Sequence, residues 1–294
     1  RELTKLQSTY IEALPKQVDS NNRVHTSFSQ TIAQTGRLSS NNPNLQNIPV
    51  RTEIGRQIRR AFVAPRGRVL VSADYTQIEL RVAAALSKDQ GMIDTFNKGI
   101  DLHQQTAAEL YNVPLDEVTK EQRYAAKTIN FGVLYGQTPH GLSVATGMTR
   151  EEAADFIERY FEIRKTLKQY IEGVKEFARK NGYTETLLGR RRPCPEINSS
   201  NFQIRSAAER IAVNVPIQGT ATGDIMKMAM VALVPKLPQN AKLLLQIHDE
   251  LIVESDQSSA KAVAELMKST MEGIYDLGVP ISVDTSIGQN WGEL

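Results

Sequence analysis

Two apolar runs that meet at three polar residues are the feature that most constrains the fold of this 294-residue chain. Residues 243–247 and 251–253 are short and apolar, as β-strands are, and His248, Asp249 and Glu250 separate them. Two such runs around a short polar segment predict a β-hairpin. The tip of this hairpin would carry two adjacent carboxylates.

A third acid, Asp74, follows another strand-like run at residues 69–73. A helix is predicted to begin near Thr76, which places Asp74 at a strand-to-helix corner. A short strand is predicted at residues 281–283. The order strand, helices, strands predicts an α+β fold, in which a helical insertion interrupts an antiparallel sheet.

The remaining segments are predicted from the positions of proline and glycine and from helix-capping patterns. Residues 19–60 are expected to form loops and short strands, because Pro43 and Pro49 exclude a long helix. Residues 88–205 are expected to be mostly helical, with capping boxes at Thr119 and Thr149 marking two helix N-termini. Further helices are expected near residues 205–212, 224–233 and 258–275. Four glycines are expected to separate the helices in the middle of the chain: Gly132, Gly136, Gly141 and Gly147.

Composition restricts the class of protein more than its activity. The formal net charge is only +2, so global charge does not by itself indicate a nucleic-acid partner. The single cysteine, Cys194, excludes an internal disulfide framework. We find no signal-peptide core and no apolar run long enough to cross a bilayer. We therefore expect a cytoplasmic protein without a membrane partner.

Acids gathered at strand ends indicate a bound cation. Two carboxylates about 4 Å apart repel by about 4 kcal/mol at an effective dielectric constant of about 20. Magnesium relieves this repulsion, and a pair of magnesium ions supports phosphoryl transfer. Asp74 and Asp249 are the ligands that we select. The ordinary alternatives are that Asp74 caps the following helix and that Asp249 and Glu250 occupy a turn.

A helical segment between these acids carries a cationic and aromatic face. Arg123, Lys127 and Phe131 are spaced by four residues and share one face, with Tyr135 one step further round. Two cations followed by aromatic rings suit a triphosphate and then a sugar and base. The alternative is a solvated basic face with an ordinary aromatic anchor in the core.

Three segments resemble motifs A, B and C of the family A, or DNA polymerase I-like, DNA polymerases. They are Ser72-Ala-Asp-Tyr-Thr-Gln-Ile-Glu-Leu-Arg81, Arg123-x3-Lys127-x3-Phe131-Gly-x2-Tyr135-Gly136 and His248-Asp-Glu250. The resemblance extends over essentially the whole chain through Thr35-Gly-Arg-Leu-Ser-Ser40, Asn44-Leu-Gln-Asn-Ile-Pro49, Gly189-Arg-Arg-Arg192, Asn214-Val-Pro-Ile-Gln-Gly-Thr220 and Asn290-Trp291. It implies a right-hand polymerase core, with a thumb remnant and first part of the palm at residues 1–89, fingers at 90–205 and the second part of the palm at 206–294.

The resemblance also implies an activity and its residues. The chain would extend a DNA primer on a template by two-metal phosphoryl transfer, releasing pyrophosphate that Lys127 protonates. Two Mg²⁺ ions, for which Mn²⁺ can substitute, would be held by Asp74, Asp249 and the backbone carbonyl of Tyr75, with Glu250 in support. The residues implied to contact the deoxynucleoside triphosphate (dNTP) are Arg123, Lys127, Phe131, Tyr135, Glu79, Gln77 and His103. Those implied to contact primer-template DNA are Arg37, Asn44, Asn47, Arg210, Asn214, Gln218 and His248.

Two of these residues carry specific expectations. Glu79 resembles the family's steric gate against a ribose 2′-hydroxyl, and phenylalanine at the position of Phe131 disfavours dideoxynucleotides. For His103, the alternative is an ordinary surface histidine near a helix start.

The chain departs from the family pattern in two places. Gln218-Gly-Thr-Ala-Thr-Gly-Asp224 is one residue longer than the family's usual Gln-Gly-Thr-Ala-Ala-Asp, near Thr222 and Gly223. The chain also starts near the family's boundary between thumb and palm, so we expect most of the thumb and the exonuclease domains to be missing and processivity to be low. We also expect a monomer.

Two rival functions remain. The first is that of a single-subunit RNA polymerase, and Glu79 argues against it. The second is that of a noncatalytic DNA-binding module, and the presence of Asp74, Lys127 and Asp249 argues against it.

Overall fold

The computed structural model describes residue 4, residues 6–49 and residues 53–294. The chain divides into two compact units. The first, which we call the sheet unit, contains Arg1–Thr76, Ile225–Ile274 and Ser282–Leu294. The second, the helical unit, contains Gln77–Asp224 and Tyr275–Ile281. No helix among the described residues is both long enough and apolar enough to span a bilayer.

The main sheet of the sheet unit contains four strands among the described residues: β3 (Arg68–Tyr75), β6 (Ala241–Ile247), β7 (Glu250–Asp256) and β8 (Val283–Gly288). Their order is β6-β7-β3-β8, and all neighbours are antiparallel. The predicted hairpin and the predicted antiparallel sheet are therefore confirmed.

The strand predicted at residues 281–283 was misplaced, because the observed strand begins at Val283 and continues to Gly288. Asp284, Thr285 and Ser286 are exposed, so apolar patterning does not mark this edge strand. Pairing with β3 holds it in place instead.

The strand register gathers acids on one face of the sheet. Asp74 lies directly opposite Glu250 of β7 and directly opposite Asp284 of β8. Tyr75 points to the other face, where its hydroxyl donates a hydrogen bond of 3.1 Å to the carbonyl of Met271. That face packs against the helix Ala260–Glu272. Alternation along β3 thus separates a buried apolar side from a side that carries carboxylates.

Residues 19–60 form short strands as predicted, β1 (Ser27–Ser29) and β2 (Ser39–Asn41), but they also contain the helix Glu53–Arg60. This helix was not predicted. It begins beyond Pro49, and its Ile58 packs against the apolar core, which stabilises eight residues that are otherwise mostly polar. The buried residues of this core are Leu6, Tyr10, Leu14, Leu45, Ile48, Leu70, Ile247, Ile252 and Trp291.

The helical unit confirms the mostly helical prediction for residues 88–205. Its helices are Ile78–Ser87, Gln90–Asn97, Leu102–Tyr111, Lys120–Leu134, Pro139–Thr146, Arg150–Ile163, Lys165–Asn181 and Phe202–Asn214. Both capping boxes form, with each threonine side chain and its Gln122 or Glu152 partner bonded reciprocally. A small unpredicted hairpin, β4 (Tyr183–Glu185) with β5 (Arg191–Pro193), follows the helix Lys165–Asn181.

Only two of the four glycines expected to separate helices do so. Gly136 and Gly147 have φ values of 65° and 80°, and they follow helix ends. Gly132 and Gly141 lie inside helices, so their prediction as helix breaks was wrong. At Gly132 the reason for glycine is space, because a Cβ there would collide with the side chain of Gln137.

The segment that is one residue longer than the family pattern is not an ordinary α-helix. Val215–Ile225 is π-helical and directly follows the helix Phe202–Asn214. It leads into the helix Met226–Leu233, near the helix predicted at residues 224–233. A π-helix bonds residues five apart, so it accommodates one more residue per turn without ending the helix.

Candidate active site

A short hairpin loop and its backbone contacts bring two acids of the sheet unit together. Ile247 pairs with Glu250, so His248 and Asp249 alone form the loop, with His248 at a left-handed φ of 55°. The backbone N–H of Tyr75 donates a hydrogen bond of 3.0 Å to the carbonyl of Asp249. Asp74 is therefore covalently next to a residue that contacts the hairpin tip.

Two glutamines that the sequence analysis missed hold this hairpin. The Gln246 amide donates a hydrogen bond of 2.6 Å to the carbonyl of His248. The Gln46 amide in turn donates to the backbone carbonyl and to the side-chain oxygen of Gln246, at 3.1 Å each. These bonds tie the hairpin to a segment 200 residues away in sequence, which no local pattern reveals.

The acids lie close enough for their charges to interact. Desolvation raises the pKa of Asp74 to about 8, with further contributions from Asp249, Glu250 and Asp284. Desolvation also raises the pKa of Glu250 to about 7; Asp249 adds to this effect, while Arg59 and a hydrogen bond from Ser72 oppose it. Each negative charge disfavours ionisation of the neighbouring acids, and a bound divalent cation would relieve this repulsion.

The donor set fits magnesium bound together with a nucleotide. No three His, Cys, Asp or Glu side chains within the described part of the chain form a closed metal-binding cluster. Asp74 and Asp249 nevertheless supply two carboxylates whose charges interact. Magnesium at phosphoryl-transfer sites is usually held by one or two carboxylates, with substrate phosphates and water completing the shell.

Two charged residues near these acids were not predicted. The Asp284 carboxylate accepts a hydrogen bond of 3.1 Å from the hydroxyl of Thr76, two residues after Asp74. Arg59 is 8% exposed, and its guanidinium lies 4.3 Å from the ring centroid of Trp291. Asp284 could be recognised only from the register of β8, and Arg59 only from the unpredicted helix Glu53–Arg60.

In the helical unit, the face predicted to bind a triphosphate lies on the helix Lys120–Leu134. Lys127 is exposed, and Phe131 lies 5.6 Å from the ring of His103, measured between centroids. Arg123 forms an ion pair of 2.6 Å with Asp101, which the sequence analysis missed. Desolvation acts to raise the pKa of Asp101, but hydrogen bonds from Arg123 and a backbone N–H outweigh it and lower this pKa.

His103 is not the surface histidine of the alternative interpretation, because it is only 2% exposed. Desolvation lowers its pKa to about 4, with Asp101 opposing the shift and Arg123 and Lys127 adding to it. The ring is therefore neutral near pH 7. Its Nδ1 atom lies 3.1 Å from the amide nitrogen of Asn130.

Glu79 and Tyr135 contact each other within the helical unit. The Tyr135 hydroxyl donates a hydrogen bond to the Glu79 carboxylate. Glu79 lies in the first turn of the helix Ile78–Ser87. Gln77 precedes that helix in a left-handed conformation, with a φ of 54° and no side-chain capping bond.

The sheet-unit residues predicted to contact DNA lie in two groups. Desolvation, followed by the charge of Arg37, lowers the pKa of His248, so Arg37 lies near the hairpin tip. Asn44 and Asn47 are exposed around the 3₁₀ turn Leu45–Asn47. The Asn44 side chain caps this turn by accepting a hydrogen bond of 3.0 Å from the backbone N–H of Gln46.

The helical-unit residues predicted to contact DNA lie along one helical stretch. Arg210 is exposed and donates a hydrogen bond of 2.9 Å to Ser206. Asn214 ends the helix Phe202–Asn214, and its side-chain oxygen is buried without a hydrogen-bond partner among the described residues. Gln218 lies in the π-helical segment, where its carbonyl accepts a hydrogen bond of 3.0 Å from Thr222.

Clustered carboxylates on an antiparallel sheet, together with a helical insertion that carries a cationic and aromatic helix face, define a polymerase core of the palm-and-fingers type. The chain belongs to DNA polymerase family A, whose family model it matches over residues 1–293.

Two relatives illustrate this membership. The thermostable DNA polymerase I of Thermus aquaticus is 52% identical over 293 residues, which cover 99% of this chain and 35% of that protein. The DNA polymerase I of Pseudomonas aeruginosa is 48% identical over 297 residues, which cover 100% of this chain and 32% of that protein. The chain thus spans about a third of the length of these relatives.

A solved structure is similar over the whole chain. It is the POL domain of Pol1 from M. smegmatis, in complex with DNA primer-template and dNTP. The TM-score is 0.94 at 45% sequence identity, and the match covers 100% of this chain and 52% of that one. This likeness confirms the predicted α+β polymerase fold.

Proposed function

We propose that the chain forms the catalytic part of a template-directed DNA polymerase, which adds deoxynucleotides to a primer 3′-hydroxyl and releases pyrophosphate. In this proposal residues 1–89 would supply a thumb remnant and the first part of the palm, residues 90–205 the fingers, and residues 206–294 the second part of the palm. The observation that carries this proposal is the placement of Asp74, Asp249 and Glu250 at adjoining strand ends, where their charges disfavour one another. The similar structure bound to primer-template and dNTP supports the choice of substrates.

The carboxylates would hold the metal. In this proposal Asp74 and Asp249, with the Tyr75 carbonyl, bind two Mg²⁺ ions, or Mn²⁺ as a substitute. When bound, these ions would lower the pKa of the primer hydroxyl and neutralise charge on the phosphates. Glu250 supports the site from the residue directly opposite Asp74. Because the pKa of Glu250 is raised, its carboxylate can hold a proton when no cation is bound.

The helix Lys120–Leu134 would bind the triphosphate. Arg123 offers a planar fork to phosphate oxygens, and Lys127 offers a compact charge that can pass a proton to the leaving pyrophosphate. The ion pair of Arg123 with Asp101 fixes the guanidinium before a nucleotide arrives. Phe131 and His103, whose rings are adjacent, would lie against the sugar and phosphate parts of the nucleotide.

Selection of the sugar would depend on Glu79. Its hydrogen bond with Tyr135 fixes the carboxylate, so a ribose 2′-hydroxyl would meet a rigid side chain. Gln77 would contact the nucleotide from the start of the same helix. This arrangement favours DNA over RNA as the product, against the rival RNA polymerase.

Primer-template DNA would be held mainly through its backbone and minor groove, which carry little sequence information. The proposed contacts are Arg37, Asn44, Asn47, Arg210, Asn214, Gln218 and His248. Location in the cytoplasm and a monomeric state stay predictions.

A primer-extension assay with Mg²⁺ and all four dNTPs tests the proposal. Asp249→Asn keeps the size of the side chain but removes a charge, so we expect extension to be lost while the melting temperature is retained. Asp155→Asn, at an exposed position of the helix Arg150–Ile163, is the matched control and should extend normally. Normal extension by Asp249→Asn would refute the proposed role. Preferential use of ribonucleotides by the unaltered chain would favour the RNA polymerase.

A further inference from the structure

Asn130 lies at the centre of a buried polar network in the helical unit. It precedes Phe131 on the helix Lys120–Leu134 and is only 1% exposed. Three polar side chains from two other helices surround its amide: His103 and Thr106 from Leu102–Tyr111, and Tyr160 from Arg150–Ile163. All three are at most 2% exposed. Polar groups buried this deeply are found where each has a defined hydrogen-bond partner.

The Asn130 amide is oriented with its oxygen towards Tyr160 and its nitrogen towards His103. The Tyr160 hydroxyl donates a hydrogen bond of 3.1 Å to the amide oxygen. The amide nitrogen then donates to Nδ1 of His103 at 3.1 Å and to the hydroxyl of Thr106 at 3.2 Å. An amide nitrogen only donates, so Nδ1 of His103 must accept with its lone pair. In a neutral imidazole the proton is then on Nε2.

The surroundings of His103 keep the ring neutral. Asp101 directly precedes the helix that carries His103, and its charge favours protonation of the ring. Arg123 and Lys127, from the neighbouring helix, oppose protonation. Desolvation is the largest effect and also opposes protonation. Tyr160 and Thr106 add only neutral hydroxyls to this network. Burial and the two cations thus exclude the imidazolium near neutral pH.

We propose that Asn130 is a positioning residue that fixes the Nε2–H tautomer of His103, so that the ring presents a hydrogen-bond donor to an anionic phosphate. Phosphate oxygens only accept hydrogen bonds, and an Nε2 atom with a bare lone pair would repel them. A neutral donor binds phosphate without a full charge, so its contribution does not change with pH near neutrality. The tautomer follows from the orientation of the Asn130 amide, whereas the phosphate ligand rests on the proposed function.

The tautomer can be measured directly. The chain has four histidines, so a spectrum with ¹⁵N-labelled histidine is simple enough for His103 to be assigned through a His103→Asn variant. We expect Nδ1 of His103 to be unprotonated and Nε2 to be protonated between about pH 6 and about pH 8.5. A protonated Nδ1, or titration of His103 within this range, would overturn the proposal.

Asn130→Asp tests whether Asn130 sets the tautomer. Aspartate keeps the shape of the side chain but replaces the donor with an acceptor, so the proton should move to Nδ1. The KM for dNTP should then be about tenfold above that of the unaltered chain at about pH 8.5, the loss of one hydrogen bond to a charged group. The new carboxylate favours the protonated ring, so at about pH 6 the imidazolium of the variant would regain an Nε2–H donor, and the ratio should fall. If Nδ1 stays unprotonated in this variant, Asn130 does not set the tautomer.

Thr106→Val is the matched control. It removes the contacts of the Thr106 hydroxyl with both the oxygen and the nitrogen of the Asn130 amide. It leaves the contact between Asn130 and His103, so the tautomer and the KM should be retained. An equal rise in KM in both variants would show a packing effect and overturn the positioning role. If the tautomer is as expected but no chain extends a primer, the proposed function fails while the assignment of the network stands.

Discussion

Replacing Asp74 with asparagine is expected to stabilise the protein without divalent cations while removing a proposed metal ligand. The pKa of Asp74 is raised from 3.8 to about 8, by desolvation and by its acidic neighbours. An acid with a higher pKa in the folded than in the unfolded chain favours folding only while protonated. Its stabilising effect is therefore present at low pH and is lost as the pH rises from 3.8 towards about 8.

The size of the effect follows from this pKa. For a fully buried group, the rise would correspond to about 5 kcal/mol of lost stability at about pH 8. Asp74 is an exposed residue, so screening by solvent reduces the expected gain from asparagine to about 2 kcal/mol. At about pH 5 only the first part of the interval between pH 3.8 and about pH 8 has been crossed, so the gain in stability should be less than half as large.

Urea unfolding in the presence of a chelator measures this gain at both pH values. Asp155→Asn, a change of the same chemistry at an exposed site, should leave the free energy of unfolding unchanged. Adding Mg²⁺ should stabilise the unaltered chain more than Asp74→Asn and so narrow the difference. The reasoning is refuted if Asp74→Asn is no more stable than the unaltered chain, or if its gain is the same at both pH values.

Four further substitutions test other parts of the molecule. Glu79→Ala should raise ribonucleotide use about tenfold or more in primer extension, with a smaller rise for Tyr135→Phe; unchanged selectivity would exclude the gate. Phe131→Tyr should ease dideoxynucleotide termination, and an unaltered termination ladder would count against contact with the sugar. Thr119→Ala should lower the free energy of unfolding by about 1 kcal/mol, because it removes a capping box; urea unfolding with no measurable loss would contradict that estimate.

Elements with a strong local signal could be predicted from the sequence. The hairpin around His248 and the capping box at Thr149 depend on residues a few positions apart, and both form. The strand β8 and the helix Glu53–Arg60 depend on distant partners instead, namely β3 and the apolar core. Their own residues are largely polar, so patterning misplaced the strand and missed the helix.

The same distinction applies to the candidate site. Asp74 and Asp249 could be selected because each ends an apolar run, and the family resemblance added their proposed roles. Asp284, Arg59 and Asn130 carry no such signal. The neighbours of Asp284 follow only from the strand register, and those of Arg59 only from its contact with Trp291. Those of Asn130 follow only from side-chain contacts between helices that lie far apart in the sequence.

The position of β3 between β7 and β8 has a consequence for biosynthesis. Both neighbours of β3 come from the last 45 residues of this sequence, whereas β3 itself ends at Tyr75. A nascent chain on the ribosome must therefore keep this apolar strand without its final partners while roughly 175 further residues are made. Closing so long a loop is entropically costly and slow. Asp74 and Glu250 can therefore come to lie opposite each other only after β7 has been made.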